Sequence, residues 1–297
     1  MTVRSGPLRS KLHCTAMALE GLPLLDTSDK AAGIPTPAVL METILHSMIG
    51  HYNLFLGGVL HWDVSSGNIL RLREPIDRLP GLSMSLLGLP NRDVNPSFCQ
   101  GFLIDGDHAI EWRKDAITQC RVPQGTLPFM SIRLLDEWYL DNPVLHTAID
   151  DLESFLWVLV WSLVRISKEL AKIPNRNSII HRLGHIVSSR NYTDMLLKER
   201  LIKRQWTDKV FRGLIRDWLR ISETSRTVVS ELQQTLIELV NDGDTSDAQK
   251  RIFDELDERC GKVCKEFIQS GYRHLQAIEK FSNWRDVVDF NGELLNK

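Results

Sequence analysis

An excess of positive charge is missing from this chain. Its 297 residues carry 36 Lys and Arg against 38 Asp and Glu, a net charge of −2. That balance leaves no electrostatic footprint for nucleic acid or an anionic membrane surface. A long apolar run is missing too. The longest, FLWVLVWSLV from Phe155 to Val164, is too short to cross a bilayer and reads as a buried helix. The N-terminal MTVRSGPLRSKLHC lacks the apolar core of a secretory signal. Cysteine is sparse: Cys14, Cys99, Cys120, Cys260 and Cys264, odd in number and irregular in spacing. This argues against a disulfide framework and for reduced thiols in an intracellular protein, cytoplasmic or nuclear. Cys260 and Cys264 have no second Cys or His pair at zinc spacing, so they read as one face of a helix. Internal repeats and low-complexity tracts are also absent.

What is present is an ordinary globular composition, 43% hydrophobic and 25% charged, enough for one or two domains. Residues 1–10 read as disordered, and Lys11–Leu19 has strand character that Gly21 and Pro23 break. From Pro37 to Leu56, Leu40, Ile44, Met48, Tyr52 and Phe55 recur at helical spacing, and Gly57-Gly58 ends that helix. NILRL reads as a short strand, and residues 73–100 as a long exposed loop rich in proline and glycine. Gly101–Asp107 reads as a strand ending in carboxylates, and Arg121–Leu135 as an irregular stretch entering a short helix. Ile149–Leu170 is the strongest helix, with Asp150-Asp151 at the positive end of its dipole. Beyond Lys172 the chain reads as amphipathic helix, with breaks near residues 174–177, 191 and 241–247. The fold class expected is mainly α, with a small β element (α+β).

Between the first helix and the NILRL strand lies LHWDVSSGNIL, residues 60–70, which places His61, Asp63 and Asn68 at fixed offsets. A polar turn needs no such spacing. His-x-Asp-x-x-x-x-Asn followed by a strand ending in Asp suits phosphoryl transfer. Asp63 is placed to accept or orient a hydroxyl proton, and Asn68 with Asp105 supplies oxygen ligands for magnesium. The histidine packs beneath such a loop. His46, His51, His108, His146, His181, His185 and His274 stand alone, without metal-site spacing.

Four pieces in order carry a resemblance. GGVLHWDVSSGNIL resembles the catalytic loop of the fungal-type protein kinase family, and GFLIDGDHA its metal-binding strand. GTLPFMSIRLL is similar to the family's substrate-facing loop, and DDLESFLWVLVW to its central buried helix. ALEGLPL (Ala18–Leu24) is similar to the hinge between lobes. The resemblance spans roughly residues 11–170 and implies a protein kinase-like C-terminal lobe. It implies ATP and Mg2+ as cofactors and Ser/Thr in a protein as substrate. Residue by residue, it makes Asp63 the catalytic base and Asn68 and Asp105 the magnesium and nucleotide contacts. Thr126 is the partner of Asp63 that shapes the substrate site, and Asp151 a brace beneath the loop. Ser65 stands where many serine/threonine kinases carry a phosphate-facing lysine, as is common in this family.

The departures matter as much. No Gly-x-Gly-x-x-Gly precedes the hinge-like segment, and Lys11 lies too close to Gly21 to be the phosphate lysine. Residues 11–36 therefore read as a remnant of the last N-lobe strand and hinge, residues 37–172 as the C-lobe core, and residues 173–297 as helical lobe or extension. Trp62 replaces the arginine that normally binds an activation-loop phosphate. Arg133 replaces a glutamate that pairs with a later arginine, so that bridge is lost or reversed in polarity. Gly106 and Asp107 replace the usual Phe-Gly. The readings left open are a protein kinase-like phosphotransferase, and a pseudokinase or lobe fragment that binds a protein partner. A small-molecule phosphotransferase is a third, against which Gln124–Met130 argues. None involves nucleic acid or membrane, and the oligomeric state is not indicated.

Overall fold

A computed structural model of the chain describes residues 21–25, 33–77, 87, 98–115, 125–171, 209–241 and 247–287. The disordered reading of residues 1–10, the strand over 11–19 and the breaks near 174–177 and 191 lie outside the described residues. In chain order the elements are β1 (Gly21–Pro23), α1 (Pro37–Leu56), β2 (Val59–Leu60), β3 (Ile69–Asp77), β4 (Phe98–Leu103) and β5 (Ile110–Glu111). Then follow α2 (Trp112–Asp115), α3 (Ile132–Tyr139), α4 (Ala148–Ala171), α5 (Lys209–Asn241) and α6 (Asp247–Ile278). The protein is mostly helical with small antiparallel sheets, an α+β arrangement.

Helix α1 starts where Thr36 caps it, its side chain accepting from the Val39 N–H at 3.3 Å, with Pro37 at the first helical position. It is buried nearly all round: from Leu40 to Ile49 only Glu42 escapes full burial. It ends at Gly57 and Gly58. Gly58, at φ +78°, takes the left-handed turn that a side chain resists. Helix α4 opens with Thr147 as its cap. The Asp150 carboxylate, three residues on, reaches back to accept from the Thr147 N–H and Oγ1–H, both at 2.8 Å. Its next turns, Leu152, Phe155, Leu156 and Leu159, are fully buried. Helices α5 and α6 pack against each other, with α6 on α1 and α5 on α4. The core face of α6 repeats at three and four residues through Ile252, Phe253, Leu256, Cys260, Val263, Cys264 and Phe267. Burial pushes the Cys260 thiol up to about 12, so it stays an inert thiol within the core.

One sheet has the order β1-β3-β4, and the second pairs β2 with β5. Three sequence expectations change here. Gly21 and Pro23 do not break a strand but form β1, paired with Leu70–Leu72. Proline is tolerated because, among the described residues, β1 is an edge strand. The long loop expected from residue 73 starts later and ends sooner. Strand β3 runs on through Arg73–Asp77, and β4 begins at Phe98, because the two pair at Ile76–Cys99 and Asp77–Phe98 across a register shift. Leu87, within the same stretch, is buried rather than exposed. Strand β4 also stops at Leu103, short of the carboxylates, because Asp105 turns left-handed and Gly106–His108 form a 3-10 turn. Gly101 lets β4 lie against α1: a Cβ there would meet the Thr43 carbonyl oxygen at 2.7 Å. Among the described residues, no helix is long and apolar enough to cross a membrane.

Candidate active site

The turn after β2 carries His61, Asp63 and Asn68. His61, 2% exposed, places Nε2 at 2.8 Å from the Ile104 carbonyl. A carbonyl only accepts, so Nε2 carries the proton. Nδ1 is then free to accept the Asp63 N–H at 3.4 Å. Burial lowers the pKa of His61, which matches this neutral ring despite the nearby Asp151. His61 thus packs beneath the loop and ties it to the residue before Asp105.

Trp62 takes φ +72°, a left-handed conformation that a bulky side chain adopts only under constraint. The constraint is Asp151. Its Oδ2 accepts the Trp62 N–H at 3.3 Å and the His51 Nε2–H at 2.8 Å, while Oδ1 accepts the His146 Nε2–H at 2.8 Å. Burial alone would raise the Asp151 carboxyl, but His146 and His51 outweigh it and hold the group well below the usual carboxylate range. His51 and His146 had each read as lone histidines. They lie 100 and 5 residues from Asp151, and the structure brings both onto one carboxylate.

The turn at Trp62 presents Asp63. Its Oδ1 accepts from both Thr126 N–H and Thr126 Oγ1–H at 2.8 Å. Asn68 Nδ2 donates to the Asp63 carbonyl at 2.8 Å and to Asp63 Oδ2 at 3.2 Å. Asp63, Asn68 and Thr126 are therefore one hydrogen-bonded unit. Gly125, at φ +123°, makes the approach of Thr126 feasible, since a Cβ there would stand 3.2 Å from the Trp62 carbonyl oxygen. Asn68 spends its Nδ2 hydrogens on Asp63, which leaves its Oδ1 as an oxygen ligand. Asp105 is brought beside it by the Ile104 N–H, which donates to the Asn68 carbonyl at 2.9 Å. Asp105 sits at φ 64° and ψ 60°, exposed, with no capping hydrogen bond from its side chain. Aspartate is among the few non-glycine residues that take this left-handed conformation readily. Among the described residues no group of three or more His, Cys, Asp or Glu gathers as a metal cage. Magnesium keeps several waters and is held by one or two protein oxygens together with phosphate oxygens. Asn68 Oδ1 and Asp105 are hard oxygen donors that fit this demand.

A second buried network lies just after Thr126, where α3 meets α4. Ser131 Oγ–H donates to Asp150 Oδ1 at 2.7 Å, and the Ile132 N–H donates to Glu153 Oε1 at 2.8 Å. Arg133, 5% exposed, pairs with Asp150 and donates to the Leu145 carbonyl and to Gln233 Oε1. Arg133 is thus not left without a partner: the cation stands in the first turn of α3 and its carboxylate on α4. Burial again opposes ionisation of Asp150, and Arg133, followed by His146, overcomes it and holds the carboxyl below its ordinary value.

Residues 24–163 match the family model described as fungal protein kinase, a stretch that holds Asp63, Asn68, Asp105, Thr126 and Asp151. No curated protein matches the chain. Over residues 24–163 the chain is similar to the fungal protein kinase family.

Proposed function

We propose that the loop between β2 and β3 is a phosphoryl-transfer centre acting on Ser/Thr hydroxyls of a protein substrate, with ATP as donor. The observation that carries this reading is the Asp63 carboxylate, held by Thr126 on one oxygen and Asn68 on the other. Such a carboxylate is oriented without being neutralised by a cation. It is suited to accept the proton of an attacking hydroxyl. Thr126 Oγ1 and its backbone N–H fix which lone pair faces the acceptor. Asn68 and Asp105 are the residues that would hold Mg2+, which when bound neutralises charge on the phosphates. Buried thiols at Cys260 and Cys264 support an intracellular setting.

Calorimetric titration of the purified chain with ATP and magnesium tests the reading, with Asp105→Asn as control. Metal-dependent binding that vanishes in the variant supports it, and transfer of the γ-phosphoryl to a protein acceptor completes it. A well-folded chain that binds no nucleotide would overturn it and leave a protein-binding scaffold as the reading to pursue.

A further inference from the structure

Two buried or half-buried contacts are unused by the reaction proposed above, and both are made by residues beyond the family match. The first is on α5. Gln233, 5% exposed, accepts on Oε1 from Arg133 Nη1 at 2.7 Å and from the Leu145 N–H at 2.9 Å. Its Nε2 donates to the Pro143 carbonyl at 3.1 Å. Seven residues earlier on the same helix face, Arg226 Nε donates to Glu153 Oε2 at 3.3 Å, and Glu153 in turn holds the Ile132 N–H. The second contact is on α6. Asp257 Oδ1 accepts from Trp112 Nε1–H at 2.6 Å, and Asp257 and Asp254 both pair with Arg113.

These contacts sit at the two ends of one stretch, residues 112–133, and that stretch contains Thr126. Its first end is coupled to the catalytic loop, because the Trp112 N–H donates to the Gly58 carbonyl at 2.9 Å and β5 pairs with β2 just before His61. Its second end is coupled through a compact run. The Phe129 N–H donates to the Thr126 carbonyl at 2.8 Å, the Met130 N–H to the Leu127 carbonyl, and Ser131 to Asp150. A buried amide that satisfies Arg133 in α3 and the Pro143 and Leu145 backbone beyond it fixes their register, because any shift leaves polar groups unpaired in a low-dielectric site.

We propose that the α5–α6 pair is a clamp on both ends of this stretch, which makes Gln233 and Asp257 positioning residues for Thr126 and, through it, for Asp63. The proposal rests on the phosphotransfer reading for its consequence, but its geometry is testable without it.

The test is amide hydrogen exchange on the full chain and on Gln233→Ala, Gln233→Glu and Asp257→Ala. Gln233→Ala raises exchange about tenfold or more over residues 126–133, with α1 unchanged, because opening is local. Gln233→Glu keeps the acceptor for Arg133 and the Leu145 N–H and loses the donor to the Pro143 carbonyl, so its exchange falls between that of the unsubstituted chain and Gln233→Ala. Asp257→Ala raises exchange over residues 110–115, again without change in α1. In phosphotransfer assays Gln233→Ala raises KM for the protein acceptor while nucleotide affinity stays at the unsubstituted level. Unchanged exchange at residues 126–133 in Gln233→Ala, or equal loosening of α1, overturns the clamp. Absence of nucleotide binding in the unsubstituted chain refutes the phosphotransfer reading alone, since the exchange pattern still decides the clamp.

Discussion

Two pairs of aspartates in this protein behave as opposites. Asp150 and Asp151 open helix α4, 2% and 1% exposed, and donors surround them: Arg133, Ser131 and Thr147 on one, His51, His146 and the Trp62 N–H on the other. Asp63 and Asp105 stand at the open edge. Asp63 receives two neutral side chains and one backbone N–H, and Asp105 lacks even a local cap. The residue type is the same and the difference lies in surroundings. A carboxylate saturated with buried donors has no lone pair to lend, so its work is architectural. A carboxylate oriented but left partly open is available to a proton or a metal.

The comparison is sharpest where it is broken. Asp151→Ala leaves two buried imidazole N–H groups and the Trp62 N–H without an acceptor. It should cost about 3–5 kcal/mol of folding stability, read by urea denaturation. A loss below about 1 kcal/mol would remove Asp151 from the architectural class. Acid titrates the same pair more gently. Both carboxyls are held below their ordinary value in the folded protein, so their contribution is complete above about pH 4 and fades as pH falls through the folded values. A melting temperature that drops below that pH, with a shallower drop in Asp151→Asn, is the expected outcome. Arg133→Met comes next, at about 3 kcal/mol, since Asp150 loses its cation while keeping its Ser131 and Thr147 donors.

On the other side of the comparison, effects on stability shrink as effects on chemistry grow. Asp63→Asn should change stability by about 1 kcal/mol or less, yet lower phosphoryl transfer about 10²–10⁴-fold. Asp105→Asn should leave the denaturation curve where it was and abolish metal-dependent nucleotide binding. A destabilised Asp105→Asn protein would merge the two pairs into one class.

Much of this was legible in local pattern. The spacing of Leu40, Ile44, Met48, Tyr52 and Phe55 marked α1 with its bounds, since an amphipathic or buried helix writes its period into neighbouring residues. Asp63 and Asn68 were chosen from their offsets and Thr126 from the family resemblance, and they are in mutual contact through Asp63. Other features left no local trace. Strand β3 beyond Arg73 exists because β4 pairs with it, and Pro75 together with nearby charges masks any alternation. His51 and His146 looked solitary because what joins them is a carboxylate 100 residues from one and 5 from the other. Gln233 and Asp257 are unremarkable polar residues on amphipathic helices until Arg133 and Trp112 are placed against them, 100 and 145 residues away.

By itself the sequence determined the helices with strong period, the turn at Gly57-Gly58 and the resemblance to the fungal protein kinase family over residues 24–163. These rest on backbone preference, burial periodicity and short fixed spacings, all of which act within a few turns of chain. Tertiary structure alone decided which aspartates are saturated and which are open, the Arg133–Asp150 ion pair and the contacts of α5 and α6 with Arg133 and Trp112. Those depend on donors arriving from distant segments, and a hydrogen bond or an ion pair is specified by distance in space, which separation along the chain does not encode.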